Sequence, residues 1–137
     1  MTSKRLDHIA VAVHNLDEAL LFYVNQLGLK IHSVEEVKEQ GVRVAKLELG
    51  NTHIELLEPL GPDTPVGKFL SQRGAGLHHI CLGVDDIEKE LAKLKSEGAR
   101  LIDETAKLGA GGAKIAFVHP RATGGVLLEL SESTENR

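Results

Sequence analysis

Tryptophan is absent, tyrosine occurs once and phenylalanine three times, so aromatic residues make up only 3% of the 137 positions. With a formal charge of −4, that scarcity argues against a nucleic-acid platform, which needs stacking rings on a basic face. The single cysteine, Cys81, excludes an intrachain disulfide. No apolar run approaches the roughly 20 residues that span a bilayer. The opening segment MTSKRLDHIA shows neither the apolar core of a signal peptide nor the Arg-rich pattern of a transit peptide. These absences predict a cytoplasmic protein without nucleic-acid or membrane partners. Hydrophobic and charged fractions of 42% and 26% are ordinary for a globular domain. A chain of this length buries about two-thirds of its unfolded surface, which neither half could manage alone.

What the chain does contain is a repeat, the feature to look for before any other. Leu6 to Val13, LDHIAVAV, returns as Leu77 to Val84, LHHICLGV, with His8 matched by His79 and Ile9 by Ile80. Each copy leads into a helix-start pattern, Asn15 with Glu18 and Asp85 with Glu88, a capping side chain three residues ahead of a carboxylate. A second echo closes each half. Gly50 to Leu56, GNTHIEL, answers Gly124 to Leu130, GGVLLEL, which makes Glu55 and Glu129 counterparts.

Both halves read as βαβββ. In the first, a strand over Leu6 to Val13 has unequal faces, bulky at Ile9, Val11 and Val13 and small at His8, Ala10 and Ala12. A helix over Leu16 to Leu27 is predicted to cover the bulky face, its apolar positions Leu16, Ala19, Leu20, Tyr23, Val24 and Leu27 following helical spacing before Gly28. Strands follow over Leu29 to Val37, Val42 to Leu49 and Thr52 to Leu57, with a turn at Glu39-Gln40-Gly41. The second half predicts the same faces, with Ile80, Leu82 and Val84 against His79, Cys81 and Gly83. A helix over Ile87 to Leu94 comes next, then strands over Arg100 to Glu104, Lys114 to His119 and Val126 to Leu130. The boundaries are module 1 over about 5–58, a proline-rich connector over 59–76 with a short helix near Gly67 to Gln72, module 2 over 77–131 and a polar tail over 132–137.

One histidine and one glutamate per half, His8 with Glu55 and His79 with Glu129, form a mixed set that suits a divalent first-row metal, with Mn, Fe, Co, Ni and Zn all open. Six-coordination would leave two positions for a ligand with two oxygens, and the ion would act as a Lewis acid on a carbonyl, favouring proton abstraction beside it. A single strand histidine is more often structural, and it is the repetition that shifts the balance. Two unpaired carboxylates buried in a cup would be costly, and a cation removes that cost. His53 shares a face with Glu55 and is a candidate for supporting the ligands rather than joining them. His78 falls on the bulky side of its strand. His14, His32 and His119 lie near turns or strand ends, and Cys81 reads as a small core residue.

On these residues the chain resembles the vicinal oxygen chelate superfamily, and within it the methylmalonyl-CoA epimerase family. LDHIAVAV, ELLEPLGPDTPVGKFL, GLHHICLGVDDI, KLGAGGAKIAFVHP and TGGVLLEL carry the resemblance in order and spacing over nearly the whole chain. It implies an α+β fold of two paired βαβββ modules forming a metal-binding cup, with one divalent ion held by His8, Glu55, His79 and Glu129. It also implies a homodimer acting in propionate metabolism. The implied activity is interconversion of the 2R and 2S epimers of an acyl-CoA substrate, methylmalonyl-CoA, through an enolate, with Glu129 as one acid/base.

Some members of that family are thought to use a second glutamate where this chain has Val44, which cannot move a proton. Lys46 and Glu48, further along the same face, are the candidates to replace it, as is a metal-bound water. The Leu108 to Gly112 loop is a candidate for close backbone approach to the substrate, with Lys107 or Lys114 meeting CoA phosphates. Two other activities remain open on sequence: a lactoylglutathione lyase, which uses the same ligand types, and a non-catalytic metal-dependent binder of small ligands on the same fold.

Overall fold

The computed structural model describes residues 4–132, and apart from Glu132 the predicted polar tail lies outside the described residues. Two compact units divide the chain, one built from residues 8–78 and the other from residues 79–132 with the opening residues 4–7.

The first unit contains β1 from His8 onward (the strand runs Lys4–Ala12), α1 (Leu16–Leu20), β2 (Ile31–Val37), β3 (Val42–Leu49), β4 (Thr52–Pro59) and α2 (Pro65–Arg73). Its strands lie in the order β2-β3-β4-β1, antiparallel except for the parallel pair β4 and β1. Asn15 caps α1 as predicted, its side chain accepting from the Glu18 backbone N–H at 2.9 Å. The predicted helix does not run unbroken to Leu27, because Leu21–Gln26 widens into a π turn. Leu16, Ala19, Leu20, Tyr23 and Val24 still reach the core formed with Val13, Ala45, Leu47 and Leu56. Leu27 does not: a π turn holds more residues per turn than an α-helix, so the face slips and Leu27 is exposed. The predicted turn closes at Gly41, whose φ of 69° needs a residue without a Cβ. In the connector the helix is longer than predicted, starting at Pro65, where the missing N–H costs nothing, with Thr64 as its cap.

The second unit contains β5 (Gly76–Val84, from His79 onward), α3 (Ile87–Ser96), β6 (Lys107–Leu108), β7 (Lys114–Val118), α4 (Pro120–Thr123) and β8 (Leu128–Glu132). The strand order is β5-β8-β7-β6, with β5 and β8 parallel and the other pairs antiparallel. Val84, Ile87, Leu91, Ala116, Val118 and Leu130 form its core.

Three expectations are corrected here. The cap of α3 is Asp86, accepting from Lys89 N at 3.2 Å, while Asp85 instead faces Arg5 at 3.6 Å. No strand forms over Arg100 to Glu104. Leu101 makes one bridge to Val118, and then the Asp103 carboxylate takes the Phe117 N–H at 2.8 Å, replacing the backbone acceptor a ladder would supply. The last strand begins at Leu128 rather than Val126, because the residues before it turn through α4, Gly124 and Gly125. The Arg5 side chain lies over Gly83, where a Cβ would meet it at 2.8 Å.

Candidate functional site

Alternation along β1 puts His8, Ala10 and Ala12 on the face opposite the helix, and all three are buried, His8 at 4% exposure. Parallel pairing sets Ala10 beside Glu55 and His8 beside His53. Residues Ile54 and Leu56 pack into the helix-side core, which turns Glu55 onto the same face as His8. There Glu55, only 6% exposed, lies between two imidazoles. Its Oε1 is 3.4 Å from His8 Nε2, and its Oε2 accepts a hydrogen bond from His53 Nε2 at 3.0 Å. The rings of His8 and His53 stack with centroids 4.9 Å apart.

The second unit repeats the arrangement. Cys81 pairs with Glu129 in the parallel ladder of β5 and β8, and Leu128 and Leu130 pack toward α3. Glu129 therefore faces the way of His79, and Glu129 Oε1 lies 2.8 Å from His79 Nε2. Both are buried, at 6% and 4% exposure. Phe117, opposite Glu129 on β7, sets its ring edge-on to His79 at 5.4 Å.

A buried carboxylate is tolerated only with a compensating charge or donors. Each half supplies one imidazole Nε2 about 3 Å from a carboxylate oxygen, a separation that also suits two donors on one ion, each about 2.0–2.2 Å from it. The donor set is thus compatible with a divalent cation in each half taken by itself.

His78 is half-buried and sets its ring edge against Phe69 at 4.8 Å. Val44 is buried at 2% exposure. Lys46 stands directly opposite Glu55 in the antiparallel register and is half-buried. Glu48 stands opposite His53 but is exposed, with His32 Nδ1 at 3.7 Å. Lys107 Nζ lies over the Phe117 ring at 5.4 Å and 3.3 Å from Asp103, and Lys114 is 3.8 Å from Glu88. In the loop between β6 and β7, Gly111 and Gly112 take φ of 70° and 79°, values that need glycine.

Two carboxylates were missed on sequence. Glu58 Oε2 accepts from the Leu16 N–H at 2.9 Å, and Glu132 Oε1 accepts from the Ile87 N–H at 2.8 Å. Each ties the first turn of its helix to the strand carrying the buried glutamate three residues earlier. The signal was present as ELLE over Glu55 to Glu58 and ELSE over Glu129 to Glu132.

Residues 7–117 match the Glyoxalase/Bleomycin resistance protein/Dioxygenase superfamily. The mitochondrial methylmalonyl-CoA epimerase of Bos taurus is 45% identical over 130 residues, 94% of this chain and 74% of that protein. The chain belongs to the methylmalonyl-CoA epimerase family of this superfamily. Within the family, an ethylmalonyl-CoA/methylmalonyl-CoA epimerase of Cereibacter sphaeroides is 41% identical, covering 93% of this chain and 97% of that one. A methylmalonyl-CoA epimerase solved in complex with methylmalonyl-CoA and NH4+ is 37% identical with a TM-score of 0.92, covering 96% and 95% of the two chains. The α+β fold is the vicinal oxygen chelate fold of this family, as expected. No helix among the described residues is long and apolar enough to cross a membrane.

Proposed function

We propose that this chain is an epimerase that interconverts (2R)- and (2S)-methylmalonyl-CoA. The observation that carries this is the matched buried imidazole and carboxylate pair in each repeat of a chain that belongs to the epimerase family. Within a single domain of two modules and a connector, His8, Glu55, His79 and Glu129 are proposed to hold one divalent ion, with Co, Mn, Ni, Zn and Fe all suited to such ligands. When bound, the ion supplies Lewis-acid stabilisation to the negative charge that develops on the substrate carbonyl.

The substrate carbon C2 lies between a thioester carbonyl and a carboxylate, so losing its proton yields an enolate flat at C2. Inversion follows when the proton returns to the other face, which calls for an acid/base on each side. Glu129 is proposed for one side. For the other, Lys46 is the stronger candidate and Glu48 the weaker, because Lys46 is half-buried on the face of Glu55 whereas Glu48 is exposed beside His32. Val44 has no group that transfers a proton. A cytoplasmic homodimer serving propionate metabolism completes the proposal.

The test incubates metal-loaded protein in deuterated water with racemic methylmalonyl-CoA and, separately, with the hemithioacetal of methylglyoxal and glutathione. Deuterium entering at C2 with no other product is the expected result. Turnover of the hemithioacetal alone would overturn the assignment, and binding without exchange would make the protein a ligand binder.

A further inference from the structure

The Glu55 carboxylate has two different environments, and only one of them is explained by a role as ligand. Its Oε1 faces His8 Nε2, while its Oε2 is engaged by His53 Nε2 at 3.0 Å. We propose that His53 is a positioning residue that fixes the rotation of the Glu55 carboxylate, so that one defined oxygen is presented to a divalent cation and the other is held back. This rests on the reading of Glu55 as a ligand and adds to it how that ligand is oriented.

Several features make His53 suited to the task. It is two residues from Glu55 on the same strand face, so the β4 backbone sets the distance between them. Its ring lies against the His8 ring, with centroids 4.9 Å apart and planes 30° from parallel, and it stands in register between His8 on β1 and Glu48 on β3. Half-burial of the ring and flanking strands on both sides restrict its rotamers. Since a glutamate side chain has three rotatable bonds, a donor fixed in this way removes freedom the carboxylate would otherwise lose on binding a cation. Outer partners of this kind are commonly worth 10–100-fold in metal affinity, by order of magnitude about what a lost carboxylate orientation would cost. In the second half the repeat puts Leu127 where the first has His53, so an imidazole at this position is built into one half only.

The test measures Co(II) affinity by calorimetry, and the visible absorption of the Co(II) protein, for the metal-stripped full chain and four variants. His53→Phe keeps a ring against His8 but cannot donate a hydrogen bond. His53→Leu is its substitute if that protein fails to fold. His53→Gln supplies an amide N–H in place of Nε2, and Glu55→Ala removes the carboxylate. The expected result is affinity lower by about 10–100-fold in His53→Phe, with an altered Co(II) spectrum, and recovery of both in His53→Gln. Thermal melts should match across the His53 series. Parental affinity and spectrum in His53→Phe, with binding lost in Glu55→Ala, would overturn the positioning role and leave the ligand intact. Equal weakening in His53→Phe and His53→Gln would also overturn it. Parental affinity in Glu55→Ala would instead remove Glu55 from the ligand set.

Discussion

His79 and His78 are adjacent in the chain and opposite in circumstance. Strand alternation sends one to Glu129 at 2.8 Å and the other to the Phe69 ring. Accordingly, His79→Ala should lose bound metal, measured by elemental analysis of the purified protein, while His78→Ala should retain it. Glu129→Gln keeps an oxygen but cannot accept the proton, so inversion should fall by about 10²–10⁴-fold and C2 deuterium exchange should survive only in the epimer whose proton faces the opposite base, with metal content largely kept. Lys46→Met should abolish inversion yet leave exchange in one epimer, resolved by chiral chromatography of the recovered thioester. Glu48→Gln should leave both processes close to parental. The four ligand candidates were legible in the sequence because the repeat marks them twice. Arg5 over Gly83 was not legible, since the small residue carries no mark of what fills its space.

At the scale of single elements, α1 and α3 are each held at their start by two carboxyl or amide side chains from different places in the sequence. Asn15 and Glu58 serve α1, and Asp86 and Glu132 serve α3. Replacing Asp86 by Ala should destabilise the fold by about 1 kcal/mol, whereas Asp85→Ala should cost less because Asp85 is not the cap. Glu58→Ala and Glu132→Ala remove charge-assisted hydrogen bonds, and each should cost about 1.5–3 kcal/mol by urea unfolding.

A third helix start is pH-sensitive. His119 Nδ1 accepts from the Arg121 N–H at 3.0 Å and so caps α4. Desolvation, and then the Arg100 and Arg121 guanidiniums, lower its pKa from 6.5. Its neutral form is therefore favoured by folding, and the stability it contributes is present above pH 6.5 and lost as the pH falls through the depressed value. His119→Asn keeps an acceptor without the titration, so its melting temperature should fall less than that of the parent between about pH 7 and 5.5. Caps and strand ends were the least legible features, because one residue of offset, as between Asp85 and Asp86, leaves the motif looking the same.

For the whole molecule the proposed activity depends on a bound divalent ion. Exhaustive chelation should abolish C2 exchange, and adding back Co or Mn should restore it. A homodimer should sediment at twice the chain mass of 14.8 kDa. The duplicated pattern of apolar and small positions sufficed to determine the βαβββ order of the first half, the helix-covered faces and the pairing of one histidine with one glutamate in each half. Those features follow from periodicity, which is local and written in the residues themselves. Contacts between residues far apart in the chain were left to the tertiary structure. It turned a predicted strand into a loop through the Asp103 carboxylate and tied both helices to distant glutamates. Each depends on where a side chain ends in space, and spacing along a single chain does not name the partner it meets there.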